Sequence, residues 1–310
     1  MGDAAVSENP SRAGGTGCTS RFVTAQDGLR LHVRAWGTRG GRELPIVCLP
    51  GLTRNGSDFE EVGVALAGDA AQPRWVVAID SRGRGGSDHD PEPGNYSFAV
   101  ELADVLAVLS ALEVGPAIFI GTSRGGILTM LLGPTRPAAI AGVILNDIGP
   151  VIEPKGLMRL KGYVGKMPTP RSFEEGAEIL RRLGDAQFPA LTMQDWVLQA
   201  RRTWKTAGDD LVLDYDPKLS QTLADVDIER PLPPLWAQFD SLARMPLMVV
   251  HGMNSDILVA ATIDAMRARR LDIDVLQVRD QGHAPLLAEA GVIARISAFV
   301  TLCDVSAHGF

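Results

Sequence analysis

Gly121-Thr-Ser-Arg-Gly125 sets a serine between two glycines, each two residues away, where an apolar run ending at Ile120 meets an amphipathic stretch beginning at Arg124. A buried strand that turns into a helix within one residue holds that serine in a strained backbone conformation, and small neighbours let the chain close around it. Ser123 Oγ then stands free above the sheet as a nucleophile. The Arg124 N–H falls at the helix N-terminus, where an orphan donor and the positive end of the helix dipole face a developing oxyanion. A second donor is expected from the loop after the third strand, where Pro50-Gly-Leu-Thr53 supplies the Leu52 N–H.

A serine nucleophile needs a base. Of the five histidines, His32 falls in a hairpin strand, His89 between Asp88 and Asp90, His251 near a strand end and His308 in the tail. His283, in Asp280-Gln-Gly-His-Ala-Pro285, follows the last strand and precedes the last helix, on the carboxyl edge that also carries the serine. The base in turn needs a carboxylate to orient it and to stabilise its imidazolium. The chain order Ser, Asp or Glu, His points to Asp256, just after the penultimate strand. Asp147, ending the strand after the elbow helix, is the alternative acid, with a supporting hydrogen-bonding role if Asp256 holds the histidine.

The elements that must position these groups are legible from periodicity. Arg21–Thr24 and Leu31–Trp36 read as a hairpin, and Pro45–Leu49, Trp75–Ile79, Ala141–Leu145, Pro246–His251 and Asp274–Val278 as short buried strands. Helices are expected near 58–67, 98–112, 260–269 and 286–302, alternating with the strands. That rhythm implies a mostly parallel sheet covered by helices on both faces. Between Pro150 and Pro234 strand signals vanish, and helical patterns broken by proline take over. The expected organisation is a flexible leader at 1–17, an α/β core at 18–147 and 237–310, and a helical cap at 148–236, inserted after the sixth strand. Trp196, Trp204, Tyr163 and Trp236 are candidates for the cap's pocket wall, while Arg159, Lys161 and Lys166 read as a solvated face, with contact to a substrate carboxylate as the alternative.

The chain's 310 residues are 45% hydrophobic, 22% charged and carry a net charge of −7, so a large core is available and a basic face for nucleic acid is not expected. Cys18, Cys48 and Cys303 show no metal-binding spacing, and an odd, scattered set suits a reducing, cytoplasmic compartment. No signal peptide, membrane span or metal site is expected. A homodimer is one arrangement the sequence leaves open.

Leu49-Pro-Gly-Leu52, Asp80-Ser-Arg-Gly-Arg-Gly-Gly-Ser-Asp88, Gly121-Thr-Ser-Arg-Gly-Gly126, Asn254-Ser-Asp256 and Gly282-His-Ala-Pro285 together resemble the α/β-hydrolase superfamily, in its capped esterase and lactonase branch. The likeness covers 20–147 and 237–303. It implies the α/β-hydrolase fold, a Ser-His-acid triad, two backbone oxyanion donors and a lid over an ester or lactone substrate, with no cofactor. Pro50 departs from the pattern, since many members carry histidine before the oxyanion glycine. Serine at 123 argues against the branches that use aspartate there. A small-molecule receptor and a cofactor-free oxygenase on the same fold remain as alternatives.

Overall fold

A computed structural model describes residues 6–8, 17–227, 229 and 232–308. The strands are β1 (Val6–Glu8), β2 (Thr19–Thr24), β3 (Arg30–Trp36), β4 (Ile46–Leu49), β5 (Val76–Ile79), β6 (Ala117–Thr122), β7 (Ile140–Asn146), β8 (Trp204–Ala207), β9 (Asp210–Leu213), β10 (Leu247–Gly252) and β11 (Asp274–Val278). Nine of them form one sheet in the order β1-β2-β3-β5-β4-β6-β7-β10-β11. Pairing is antiparallel from β1 to β5 and parallel from β5 through β4, β6, β7 and β10 to β11.

Side-chain alternation divides the core in two. Val47, Leu49, Val77, Ile79, Phe119, Val143 and Val249 face one side of the sheet, while Ile46, Cys48, Val76, Ala78, Ile118, Ile120, Ile144 and Met248 face the other. All are at most 1% exposed. Full burial contributes roughly 1.5–3 kcal/mol for each such aliphatic side chain, so β4–β7 form a stiff base for whatever stands on their carboxyl ends.

The helices are α1 (Glu60–Ala67), α2 (Phe98–Ala111), α3 (Arg124–Thr135), α4 (Pro154–Tyr163), α5 (Phe173–Gly184), α6 (Met193–Thr203), α7 (Trp236–Asp240), α8 (Ala260–Arg269) and α9 (Ala290–His308). α2 buries Val105, Val108 and Leu109 on the first face of the sheet, and α1 buries Val62 and Leu66 on the second. α9 is long and apolar enough to cross a membrane by length and composition alone, which the sequence reading did not anticipate. Here it buries Val292, Ile296, Phe299, Val300 and Cys303 against the second face.

The architecture is the α/β-hydrolase fold. Two local expectations need correction. The segment from 148 to 236 is not wholly helical: β8 and β9 pair as a hairpin turned at Gly208, whose φ of 63° suits glycine. Most of the expected leader lies outside the described residues, but Val6–Glu8 within it pairs with Arg21–Val23.

Candidate active site

Ser123 stands alone between the end of β6 and the start of α3, with φ 51° and ψ −114°. The flanking glycines are needed because backbone fills the space beside them. A Cβ on Gly125 would lie 2.0 Å from Leu49 O, and one on Gly121 would lie 2.5 Å from Gly126 Cα. The Ser123 N–H donates to Asn146 O at 3.1 Å, which ties the turn to β7.

His283 lies beyond β11, with Nε2 2.8 Å from Ser123 Oγ and Nδ1 2.8 Å from Asp147 Oδ2. With Asp147 ionised, Nδ1–H donates to the carboxylate and Nε2 is left to accept the serine proton. The other contacts of Asp147 leave it no alternative orientation: Oδ1 accepts from Gly252 N–H at 2.9 Å, and Oδ2 accepts from Ser255 Oγ at 2.5 Å. Asp147 also has a positive φ, 55°, so two of the three residues in this chain of hydrogen bonds carry left-handed backbone.

Asp256, the expected orienting acid, is not on the histidine. Arg159 of α4 holds it in a two-pronged ion pair, Nε to Oδ2 at 2.7 Å and Nη2 to Oδ1 at 2.8 Å. Burial pushes the Asp256 carboxyl up, but the hydrogen bonds and charge of Arg159 outweigh it and hold the group below its ordinary value.

Arg124 is the first residue of α3, so its N–H has no acceptor within the helix. The Gly51 loop lies against the serine, a Cβ built on Gly51 being 3.8 Å from Ser123 Cβ. Leu52 O accepts from Arg84 Nε at 2.7 Å. The buried Glu101 carboxylate accepts from Arg84 Nη1 at 2.8 Å and Arg124 Nε at 2.7 Å. One carboxylate thus links the Gly51 loop to the start of α3.

A second Ser-His-Asp chain exists, with Ser20 Oγ 2.6 Å from His32 Nε2 and His32 Nδ1 2.7 Å from Asp80 Oδ2. Ser20 sits inside β2 and is not in the wall of the cavity at Ser123. Asp80 also accepts from the Gly56 and Gly86 N–H groups at 2.6 and 2.9 Å, so this chain pins two loops together.

The cavity at Ser123 holds about 210 Å³. Of the four aromatic candidates for its wall, Tyr163 and Trp196 line it. Trp204 does not, because the chain leaves α6 there and the ring packs on Gly176 of α5. Trp236 does not either. It opens α7, beneath the Arg269 guanidinium, 4.4 Å from its ring centroid.

Residues 46–296 match the family model described as "Alpha/beta hydrolase family". The chain belongs to that family. It is 31% identical over 284 residues to the 3-hydroxybutyrate-oligomer hydrolase of Cupriavidus necator, covering 88% of this chain and 93% of that one. The crystal structure of an alpha/beta hydrolase from Novosphingobium aromaticivorans DSM 12444 superposes with a TM-score of 0.83 at 36% identity, covering 92% of this chain and 98% of that one. A shorter likeness, 32% identity over 113 residues, links 36% of the chain to 35% of the mouse (Mus musculus) sn-1-specific diacylglycerol lipase ABHD11.

One residue of this alpha/beta hydrolase, Gln187, escaped the sequence reading, and for Arg159 the solvated-face reading does not hold. Gln187 Oε1 accepts from the His283 N–H at 3.2 Å, and its side chain packs where a Cβ on Gly282 would stand. Arg159 was grouped with Lys161 and Lys166 on a solvated face, yet it lines the cavity, whereas Lys161 Nζ donates to Ala224 O and Val226 O on the far side of α4. Helical periodicity could have separated 159 and 163 from 161.

Proposed function

We propose that this alpha/beta hydrolase cleaves carboxylic esters through an acyl-enzyme on Ser123. The observation that carries the reading is the continuous chain Ser123–His283–Asp147, with both links at 2.8 Å, set beneath a cavity. His283 Nε2 takes the Ser123 proton as Oγ attacks the ester carbonyl. Asp147 stabilises the imidazolium, and the Leu52 and Arg124 N–H groups receive the oxyanion. His283 then protonates the departing alcohol, and water activated by the same nitrogen releases the acid. No step calls for a metal or an organic cofactor.

The residues between 148 and 236 act as a lid whose cavity wall sets substrate choice. Leu160, Leu180, Leu183, Phe188 and Leu191 give that wall an apolar stretch suited to a short acyl or alkyl chain. Likeness to a 3-hydroxybutyrate-oligomer hydrolase favours an ester of a small hydroxy acid. A lactone is the cyclic form of the same bond and fits the same chemistry.

The test is hydrolysis of p-nitrophenyl butyrate by the wild type and by Ser123→Ala. The variant should lose at least about a thousandfold in kcat while keeping its circular dichroism spectrum and melting temperature, because nucleophile and base act as a unit. A folded variant with near wild-type turnover would end the proposal.

A further inference from the structure

We infer that the substrate carries a free carboxylate, taken up by Arg159 and Tyr163 in the cavity over Ser123. This rests on the ester-hydrolase reading and adds which kind of ester the site accepts.

A pocket for a neutral acyl chain needs apolar walls and one or two orienting groups. This one brings three guanidinium groups to its wall, Arg54, Arg159 and Arg202, against a single acidic side chain, Asp58. The carboxylates that pair the other two arginines stand behind them. Asp256 grips Arg159, and Glu61 grips Arg202 at 2.5 Å, and neither acid belongs to the wall. Counter-charges outside the wall hold the Arg159 and Arg202 guanidinium groups in position. Taking charged groups out of water is costly, so such an arrangement is explained by a ligand that brings the opposite charge.

Among the three arginines, the geometry favours Arg159. Arg54 is committed on every nitrogen: Nε and one Nη to Asp58 at 2.7 and 2.5 Å, the same Nη to Gln199 at 2.9 Å, and the other Nη to Thr203 at 2.9 Å. Arg202, in the last turn of α6, has a side chain only 7% exposed against 28% for that of Arg159. Arg159 spends Nε and Nη2 on Asp256 and is left with Nη1. Tyr163, one turn further along α4 and so on the same face, also lines the cavity. A guanidinium N–H and a phenol O–H on the same helix face are donors that suit a carboxylate.

The experiment compares acid and amide members of two substrate pairs, matched in shape and differing in charge. One pair is 3-acetoxybutyrate and 3-acetoxybutanamide, with the charge on the alcohol side, read as acetate release. The other is monoethyl succinate and ethyl succinamate, with the charge on the acyl side, read as ethanol release. In the wild type, kcat/KM should favour the acid at least about tenfold in one pair, and the favoured pair identifies the side on which Arg159 stands. Tyr163→Phe should cut that ratio several-fold. The double variant Arg159→Gln/Asp256→Asn, which removes both charges of the pair together, should bring it near one. Damage to the fold would lower acid and amide alike and leave the ratio in place. Amides hydrolysed as well as acids in both pairs, or an acid preference that survives the double variant, would overturn the inference while leaving the Ser123 chemistry standing. Failure of all four substrates together with p-nitrophenyl butyrate would instead sink the ester-hydrolase reading itself.

Discussion

At the residue scale, Asp147 and Asp256 show what separates two carboxylates on one sheet edge. Both follow strands of the parallel half, and linear order favours Asp256. A residue of α4, Arg159, 97 positions earlier, takes Asp256, while Gly252 N–H and Ser255 hold Asp147 toward the histidine. Asparagine at the orienting position favours the wrong imidazole tautomer, which in the well-studied serine protease triad costs about 10⁴-fold in kcat. Asp147→Asn should therefore lose at least about a hundredfold more kcat on p-nitrophenyl butyrate than Asp256→Asn, both measured as folded proteins. The reverse ranking would restore Asp256 as the acid. Ser123 and His283 were legible in the sequence because the signals are contiguous, a glycine-bracketed serine and a loop between the last strand and helix. The acid was not, because the choice depends on a contact between segments far apart in the chain.

At the element scale, the elbow is a packing solution between β4, β6 and α3. Nothing flexible can yield at Gly125, where the nearest atom to an added Cβ is the Leu49 carbonyl oxygen. Overpacking typically costs 1–3 kcal/mol, so Gly125→Ala should lower the melting temperature by about 2–5 °C. An unchanged melting temperature would show that α3 can slide away from β4. Most strands and helices were readable because buried apolar runs and 3.6-residue periodicity are local properties. The β8–β9 hairpin was not, since its four-residue strands, Trp-Lys-Thr-Ala and Asp-Leu-Val-Leu, are too short to stand out. Trp204 misled for a related reason: α6 ends just before it, so the face that Trp196 presents to the cavity does not continue.

Across the whole molecule, buried charge clusters join loops that are distant in sequence. Glu101 is 1% exposed; burial pushes its carboxyl up, but the charges of Arg84 and Arg124 outweigh this and keep it below the ordinary 4.5. With the folded value below the unfolded one, the unfolded chain binds more protons at acid pH. The stabilisation is therefore present above about pH 4.5 and is lost as the pH falls through the folded value. Glu101→Gln leaves two buried guanidinium groups without their counter-ion, a change of the kind that costs about 3–5 kcal/mol at neutral pH. Denaturant titrations should show that deficit narrowing below pH 4.5. A deficit constant from pH 7 to pH 3.5 would mean that the fold does not lower the Glu101 carboxyl below its unfolded value.

The central claim is that one serine of the whole chain is the nucleophile, although Ser20 also stands before a histidine and an aspartate. A fluorophosphonate reports this directly, because it bonds to an activated serine oxygen and adds a fixed mass. Incubation with slight excess should add one phosphonyl group per chain in step with loss of esterase activity, and peptide mapping should place it on Ser123. Ser123→Ala should then add none. Label on Ser20, or full inactivation with Ser123 unmodified, would contradict the account.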